Sequence, residues 1–388
     1  MAKNIVLLCD GTANQFGVDN TNVVRVVQSL VRDDQAQFVF YDPGVGTLPG
    51  PGLVTRFGKF LSKVIDLAFA TGLDRNVEEA YTYLMNNWEP GDKVYLFGFS
   101  RGSYTARVIA ALLYHLGLLP RGSENLIPYA LRLLRIARND TLNLGDKFRE
   151  TFARPVGTVD RRFNVHFIGL WDTVSSVGWF WEPEKFRYTA TNPGIAIVRH
   201  AIALDERRAF YRQNRFYPTD GTPQDLQQLW FPGVHSDVGG GYADSSLGRC
   251  SFDWILDEAI AAGMHVDPAR RAVVAPPIAK PWLEKKHNSI RAPWWWLLEF
   301  FPKIHFNSQK KRKEIRLNLF RSRKLLEGEL LHQSTLQRLK DDVNYKPAAI
   351  SRAFRHYVRG LTTIPPTLPY AKSPAAPAPA RPAQVLPA

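Results

Sequence analysis

"KVYLFGFSRGSYTARVIAALLYHLGLL", residues 93–119, contains Gly98-Phe99-Ser100-Arg101-Gly102, a serine in an ordinary turn or a serine presented for chemistry. G-x-S-x-G often arises by chance, so the flanks decide. Lys93 to Phe97 is a short apolar run rich in strand formers, led in by the turn residues Pro90, Gly91 and Asp92. After Gly102 apolar residues recur at Tyr104, Val108, Ala111 and Leu112, and Gly117 closes the run as a helix C-cap. A strand, a tight turn and a helix form the context in which a strained turn lifts a serine hydroxyl above a sheet. Gly98 and Gly102 let neighbouring backbones approach that turn. The stretch therefore predicts a nucleophile elbow.

The same alternation extends outward. Asn4 to Cys9 reads as a strand running into Asp10, Gly11 and Thr12. Thr21 or Asn20 caps a helix carrying Val23, Val24, Val27 and Leu30 on one face. Phe38 to Tyr41 is a second strand, and residues 53–88 carry helical patterns. Residues 123–153 read as a helical insertion or cap. Asn164 to Leu170 is a strand ending at Trp171, Asp172 and Thr173. The spacing of Ile195, Val198, Ile202 and Ala203 predicts a helix, and Leu226 to Phe231 is the last convincing strand. The pattern predicts an α/β fold, a mostly parallel sheet with helices on both faces. The core is expected over 1–270, an aromatic and basic, largely helical region packing on it over 271–361, and a Pro/Ala-rich disordered tail over 362–388.

Open parallel sheets build their sites at the carboxyl ends of strands. A serine hydroxyl needs a base to take its proton and an acid to orient that base. Ser100, Asp172 and His235 fill those roles in the order serine, acid, histidine, each just after a predicted strand. Asp237, two residues from His235, is expected to hold the glycine loop "FPGVHSDVGGGY" instead, and Asp205 and Asp244 are weaker candidates for the acid. An oxyanion needs two backbone N–H donors: that of Arg101, after the serine, and one from Gly11 or Thr12 in the loop after the first strand. Asp10 orients that loop or caps the helix beyond it. Supporting roles thus fall to Asp10, Gly98, Gly102 and Asp237.

Rival motifs are weak. Asp10-Gly11-Thr12 lacks the second carboxylate of a phosphatase motif, since Leu8 stands two residues earlier. "GVGTLPGPG" has no Lys-Ser/Thr after it, as a phosphate-binding loop requires. No C-x-x-C or H-E-x-x-H spacing marks zinc, and the chemistry requires no cofactor.

Composition bounds the rest. The chain has 388 residues, 45% of them hydrophobic and 22% charged, which suits a globular protein of one large domain or two. Its two cysteines, Cys9 and Cys250, make no disulfide framework and fit a reducing compartment. No signal peptide or membrane-spanning run is visible, so a cytoplasmic chain is expected, with leaderless export left open. The formal net charge is +14, and residues 303–359 hold fifteen Lys and Arg against five Asp and Glu. Such a segment suits an anionic membrane, nucleic acid or an acidic protein, or simply a solvated surface. Nucleic acid is the less favoured partner. Just before it, Trp294, Trp295, Trp296, Leu297, Leu298, Phe300 and Phe301 crowd one stretch, which reads as packing on the core or as a lid facing lipid.

"LLCDGTANQFG", "FVFYDPGVGT", "GFSRGSYTARVIAALL", "GLWDTVSSVG", "RHAIALDERRAFY", "LWFPGVHSDVGGGY" and "WWWLLEFFP", in this order over about residues 3–305, resemble a widespread bacterial α/β-hydrolase family known as a domain of unknown function. Its best-understood relatives are phospholipase effectors delivered by type VI secretion. The resemblance implies an α/β-hydrolase fold, a Ser-Asp-His site at Ser100, Asp172 and His235, and an ester or phospholipid substrate. A non-catalytic module docking on membrane or nucleic acid, and a peptidase or acyltransferase on the same scaffold, are the competing readings. In the "RHAIALDERR" block, Arg207 and Arg208 read as meeting an anionic head group or as pairing with carboxylates, and oligomeric state is not readable.

Overall fold

A computed structural model of the chain describes residues 2–374 apart from 12–18, 34, 45–57, 137–141, 175–177, 180–181, 184–185, 209–210, 220, 291–298, 300–302, 308–311 and 317. The side chains of 58–71, 142, 178–179, 182–183, 303–307 and 312–316 are likewise outside the description. The Trp294–Phe301 cluster lies there too, except Glu299, as do Thr12 and residues 375–388 of the expected tail.

The centre is an eight-stranded sheet. In chain order its strands are β1 (Asn4–Cys9), β2 (Gln37–Asp42), β3 (Lys93–Phe99), β4 (Val165–Trp171), β7 (Ile195–Ala203), β8 (Asp225–Phe231), β11 (Leu330–His332) and β12 (Thr367–Pro369). β5 (Gly178–Trp179) pairs with β6 (Glu182–Pro183), and β9 (Lys303–Asn307) with β10 (Arg312–Arg316), as small separate hairpins. Across the sheet the order is β2-β1-β3-β4-β7-β8-β11-β12, parallel throughout except for β12, which runs antiparallel to β11.

Each strand's alternation feeds two cores. Ile5, Leu7 and Cys9 of β1 point into one layer with α2 (Gly58–Asn87) and α3 (Arg101–Leu116), while Val6 and Leu8 point into the other with α1 (Asn22–Ser29). That second layer also holds α7 (Arg249–Ala261), through Phe252, Ile255 and Leu256. Thr21 caps α1 by accepting from the Val24 N–H, as its sequence predicts. The expected insertion is helical: α4 (Ile127–Ile136) and α5 (Leu142–Phe152) sit between α3 and β4.

The residues Ile195 to Ala203, expected to be a helix, form strand β7 instead. "IAIVRHAIA" is rich in β-branched residues and is buried on both faces between β4 and β8. A strand covered on both faces reads as a continuous apolar run, and helical spacing within it is coincidental.

The C-terminal region also departs from expectation. Rather than merely packing on the core, it extends the sheet through β11 and β12, so β8 is not the last strand. β12 lies within the expected disordered tail, and Tyr370 beyond it is buried. A third core forms where Ile202, Leu204 and Trp230 meet Leu331, Leu336, Leu339, Tyr345, Phe354 and Val358 from this region. Two of its segments are helical, Gln333–Asp341 and Arg352–Gly360.

The sheet's winding places the site. From β1 the chain adds β2 on one side, then crosses to add β3 and its successors on the other. The crevice of a doubly wound sheet opens at such a reversal, beyond the carboxyl ends of the strands. Here the residues just past β1 and β3 are Asp10 and Ser100.

Candidate active site

Ser100 stands between β3 and α3 with φ 58° and ψ −121°, a backbone conformation that residues with a side chain rarely adopt. The elbow is built by close approach. A Cβ on Gly102 would lie 2.2 Å from the Cys9 carbonyl oxygen, and one on Gly98 would lie 2.6 Å from the Gly102 oxygen. Both glycines are therefore demanded by backbone packing against the turn. The Ser103 hydroxyl donates to the Gly98 carbonyl at 2.6 Å, with the Trp171 carbonyl 3.0 Å away, which ties the first turn of α3 to both strands. Arg101 opens α3, so its N–H belongs to the positive end of the helix.

Register brings the acid alongside. Phe99 pairs with Trp171, and the Ser100 N–H donates to the Trp171 carbonyl at 3.0 Å, so Ser100 and Asp172 leave adjacent strands at the same level. Asp172 also has a positive φ, 41°, and is wholly buried. Its Oδ1 accepts from the Ala203 N–H at 2.9 Å, and its Oδ2 accepts from His235 Nδ1 at 2.6 Å. Arg323 grips both carboxylate oxygens, with Nη2 2.9 Å from Oδ2. Burial alone would raise the Asp172 pKa, but the Arg323 charge and the His235 and Arg323 hydrogen bonds hold it well below the usual carboxylate range.

His235 begins the short helix α6 (His235–Gly239), four residues beyond β8. Its ring lies against Phe99, the residue before Ser100, with centroids 4.6 Å apart, and Tyr211 meets it edge-on at 4.6 Å. Because Nδ1 faces an ionised carboxylate it carries the proton, and Nε2 is left as the basic nitrogen. Burial first, then the nearby Arg208 charge, lowers the His235 pKa, with Asp172 acting in the opposite sense. Among the described residues the Ser100 hydroxyl makes no hydrogen bond. The structure thus joins Asp172 to His235 directly and sets Ser100 at the neighbouring strand end.

The remaining candidates take supporting positions. Asp237 accepts from the Val234 N–H at 2.9 Å and from His287 Nδ1 at 2.6 Å, so it holds the glycine loop. Asp205 accepts from the Gly233 N–H at 2.8 Å and the Tyr345 hydroxyl at 2.7 Å, and Asp244 only meets the Ser246 N–H at 3.4 Å. Asp10 bonds its own loop and supports the helix cap, which is Thr21, rather than capping α1 itself. It accepts from the Thr21 hydroxyl that caps α1, at 2.7 Å, and from the Gly11 N–H in its own loop, at 2.6 Å. The Gly11 N–H is therefore engaged with Asp10, which removes it as an oxyanion donor in this arrangement.

Two groups escape a reading of the sequence alone. Glu206, buried, accepts from the His235 N–H at 3.1 Å while Arg208 pairs with it, Nη2 to Oε2 at 2.9 Å. Burial would raise its pKa, but the Arg208 hydrogen bond and charge bring it down to about 2. The "RHAIALDERR" block thus has a physical role: Asp205 and Glu206 clamp the loop that carries His235. Arg323 is the other. Nothing near it in sequence marks it out from its fellow cations.

Among the described residues no three His, Cys, Asp or Glu side chains are placed to hold a metal, and no helix is long and apolar enough to cross a membrane.

Comparison with known proteins adds a family. A curated relative, an uncharacterized protein of Saccharomyces cerevisiae, is 34% identical over 236 residues, covering 57% of this chain and 34% of its own length. The chain thus spans about a third of that relative, and its relatives are not confined to bacteria as the sequence resemblance implied. Among solved structures, an uncharacterized Pseudomonas aeruginosa protein aligns at 21% identity over 70% of this chain and 47% of its own, with a TM-score of 0.41. The Tle1 effector bound to the VgrG spike of the type 6 secretion system aligns at 18% identity over 62% and 51%, with a TM-score of 0.36. The profile of the family described as "T6SS, Phospholipase effector Tle1-like, catalytic domain" matches residues 3–258, about two thirds of the chain, and the chain belongs to that family.

Proposed function

We propose that the chain is a serine hydrolase of the α/β-hydrolase type that cleaves carboxylic ester bonds, with glycerophospholipids as its substrate class. The observation that carries this is the 2.6 Å contact between Asp172 and His235 beside the strained Ser100 turn, at the sheet's point of reversal. The lipid part rests on the family, whose description names a phospholipase effector.

In this reading His235 Nε2 takes the Ser100 proton as Oγ attacks the ester carbonyl. Asp172 holds the ring with Nε2 toward the serine and stabilises the imidazolium that forms. The negative oxygen of the tetrahedral intermediate is met by the Arg101 N–H and by an N–H of the loop after β1, with Thr12 in place of the engaged Gly11. The imidazolium then gives its proton to the departing alcohol. A water activated by the same nitrogen hydrolyses the acyl-serine and frees the acid. Peripheral contact with an anionic membrane, through the Trp294–Phe301 cluster and the basic segment 303–359 after it, would bring lipid to this site.

A fluorophosphonate probe reacts with an activated serine whatever the natural substrate, so it tests the mechanism directly. The wild-type chain should be labelled covalently, and Ser100→Ala should not. Equal labelling of the two overturns the reading. Release of fatty acid from phosphatidylglycerol vesicles, set beside hydrolysis of a short soluble ester, then tests the lipid assignment. Turnover of the soluble ester with no fatty acid released would leave the hydrolase and remove the phospholipase.

A further inference from the structure

Arg323 lies 65 residues beyond the end of the family match at residue 258. Its guanidinium is buried and forked onto the catalytic-acid candidate. Nη1 donates to Asp172 Oδ1 and, at 2.9 Å, to the Ala203 carbonyl; Nη2 donates to Asp172 Oδ2 at 2.9 Å and to the Tyr211 carbonyl. Two parallel N–H···O bonds fix the plane of a carboxylate, which a single point charge cannot do.

The segment that delivers it is itself held tightly. Asn318 donates to the Arg207 carbonyl at 2.8 Å and to Glu299 Oε2 at 2.7 Å, and the Phe320 N–H meets the same Glu299 oxygen at 2.9 Å. Arg207 Nε returns a bond to the Phe320 carbonyl at 2.8 Å. Leu319 and Phe320 have φ of 46° and 55°, left-handed backbone that costs any residue with a Cβ. Such conformations persist where the surroundings over-determine them. Here the anchors are Glu299 and Arg207, the latter in the loop next to His235.

We propose that Arg323 is a positioning residue for the hydrolysis: it aims the Asp172 carboxylate at His235, so the site is complete only when the 318–323 segment is seated. The proposal rests on the reading of Ser100, Asp172 and His235 given above. Without the fork, Asp172 keeps the Ala203 N–H and the imidazole but loses the contacts that fix its plane. The charge matters as well. The groups facing the Asp172–His235 pair are Arg323, Arg208 and Glu206, the neutral His200 beyond Thr173, and the Tyr211 ring. Arg323 offsets part of the Asp172 charge that favours imidazolium. Its removal therefore moves the ascending limb of the pH profile to higher pH.

The test measures fluorophosphonate labelling rate against pH, together with the melting temperature, for the full chain and for Arg323→Gln, Arg323→Lys, Asn318→Ala and Ser100→Ala. Arg323→Gln should slow labelling by about 10- to 100-fold, the cost seen when an outer hydrogen-bond partner of a site is lost. Its limb should move to higher pH. Arg323→Lys keeps the charge without the fork, so its limb should stay near wild type while the rate recovers only in part. Should Arg323→Gln fail to fold, Asn318→Ala loosens the segment with Arg323 still present. A slowed rate and a shifted limb in that folded variant support the proposal. A folded Arg323→Gln with the wild-type rate and limb overturns it, and so does Asn318→Ala with both unchanged where Arg323→Gln does not fold. Labelling of Ser100→Ala at the wild-type rate defeats the hydrolase reading instead, a separate failure.

Discussion

The turn at Ser100 and the turn at Phe320 both force residues with side chains into positive φ; the first leaves β3 beside the strand that Asp172 follows, and the second leads to Arg323, which grips the Asp172 carboxylate. They are held in opposite ways. Around Ser100 the determinants are nearby in sequence: Gly98, Gly102 and Ser103 pack and bond within six residues, against the ends of two adjacent strands. Around Phe320 the anchors are distant in sequence: Glu299 lies 21 residues earlier and Arg207 113, and the Arg323 that follows reaches Ala203 and Asp172, 120 and 151 residues earlier. Local construction makes the elbow a property of strand, turn and helix. Non-local construction makes the clamp a report on whether the C-terminal region has docked. One half of the site is therefore built by the sequence around it, and the other by the completed fold.

The largest effects should come from the elbow side. Ser100→Ala and His235→Ala should each lower kcat by about 10⁶-fold, and the pair together little further, because such groups act as a unit. Steady-state hydrolysis of a short soluble ester checks this, with circular dichroism to confirm folding. Additive losses in the double variant would mean the two side chains do not share one step.

Asp172 is where the two constructions meet, and its substitution should have two separable effects. Asp172→Asn leaves the imidazole in the wrong tautomer, lowering kcat by about 10⁴-fold. It also leaves Arg323 buried without its counter-charge, and breaking such a pair costs about 3 to 5 kcal/mol of stability. Urea unfolding measures the second effect. If Asp172→Asn loses activity at unchanged stability, the Arg323 fork contributes little to folding and the clamp is weaker than its geometry implies.

These two regions also mark what is legible in the sequence. Strands β1, β3 and β4 and the elbow are readable because apolar runs, turn residues and paired glycines are local signals. Ser100 and Asp172 are legible as candidates because each follows a strand directly, and His235 because it comes four residues after β8 in a glycine-rich loop. β7 reads wrongly as a helix because a strand buried on both faces loses the alternation that identifies it. β11 and β12 are three residues each, too short to leave a period, and exist only through pairing with β8 and with each other. Glu206 is not singled out, because two carboxylates and two arginines stand together just after β7. Nor is Arg323, because charge counting treats its segment's cations as one patch. In the fold Arg323 and Arg338 are buried against carboxylate and carbonyl oxygens, so the count overstates the surface charge.

A smaller effect should appear at Gly102. Its Cβ would fall 2.2 Å from the Cys9 carbonyl oxygen and 2.4 Å from that of Asp10, both backbone atoms that yield only if β1 and its loop shift. Gly102→Ala should therefore destabilise by about 1 to 3 kcal/mol, as overpacking generally does. The same shift should slow hydrolysis, because the loop after β1 faces the elbow. Gly122→Ala is the control: nothing lies within 4 Å of its Cβ position, although its φ of 80° adds strain of its own. A melting temperature for Gly102→Ala no lower than that of Gly122→Ala would show that the elbow packs less tightly against β1 than these distances imply.

The finest discrimination is in the pH profile, where the two halves of the site act on one ring. Hydrolysis needs His235 neutral, so the rate rises with pH through the His235 pKa. Burial and the Arg208 charge lower that pKa, against the Asp172 contribution. The limb of kcat/KM should then lie below pH about 6.5, the ordinary histidine value. Stability should follow other groups as well: His115, His200 and His332 are held neutral by burial and take up protons more readily when unfolded, so stability begins to fall below pH about 6.5. Asp172 titrates below its unfolded value, so its contribution is present above pH about 3.9 and is lost as pH falls toward the depressed folded value. Activity should therefore fall through the single titration of His235, while the melting temperature declines over a wider range, from the buried histidines first and from Asp172 in stronger acid. Measuring kcat/KM and melting temperature over the same pH series separates the two. A limb above 6.5 would mean that Asp172 outweighs burial at the ring. Activity that falls only where the chain unfolds would mean that the His235 titration does not limit the rate.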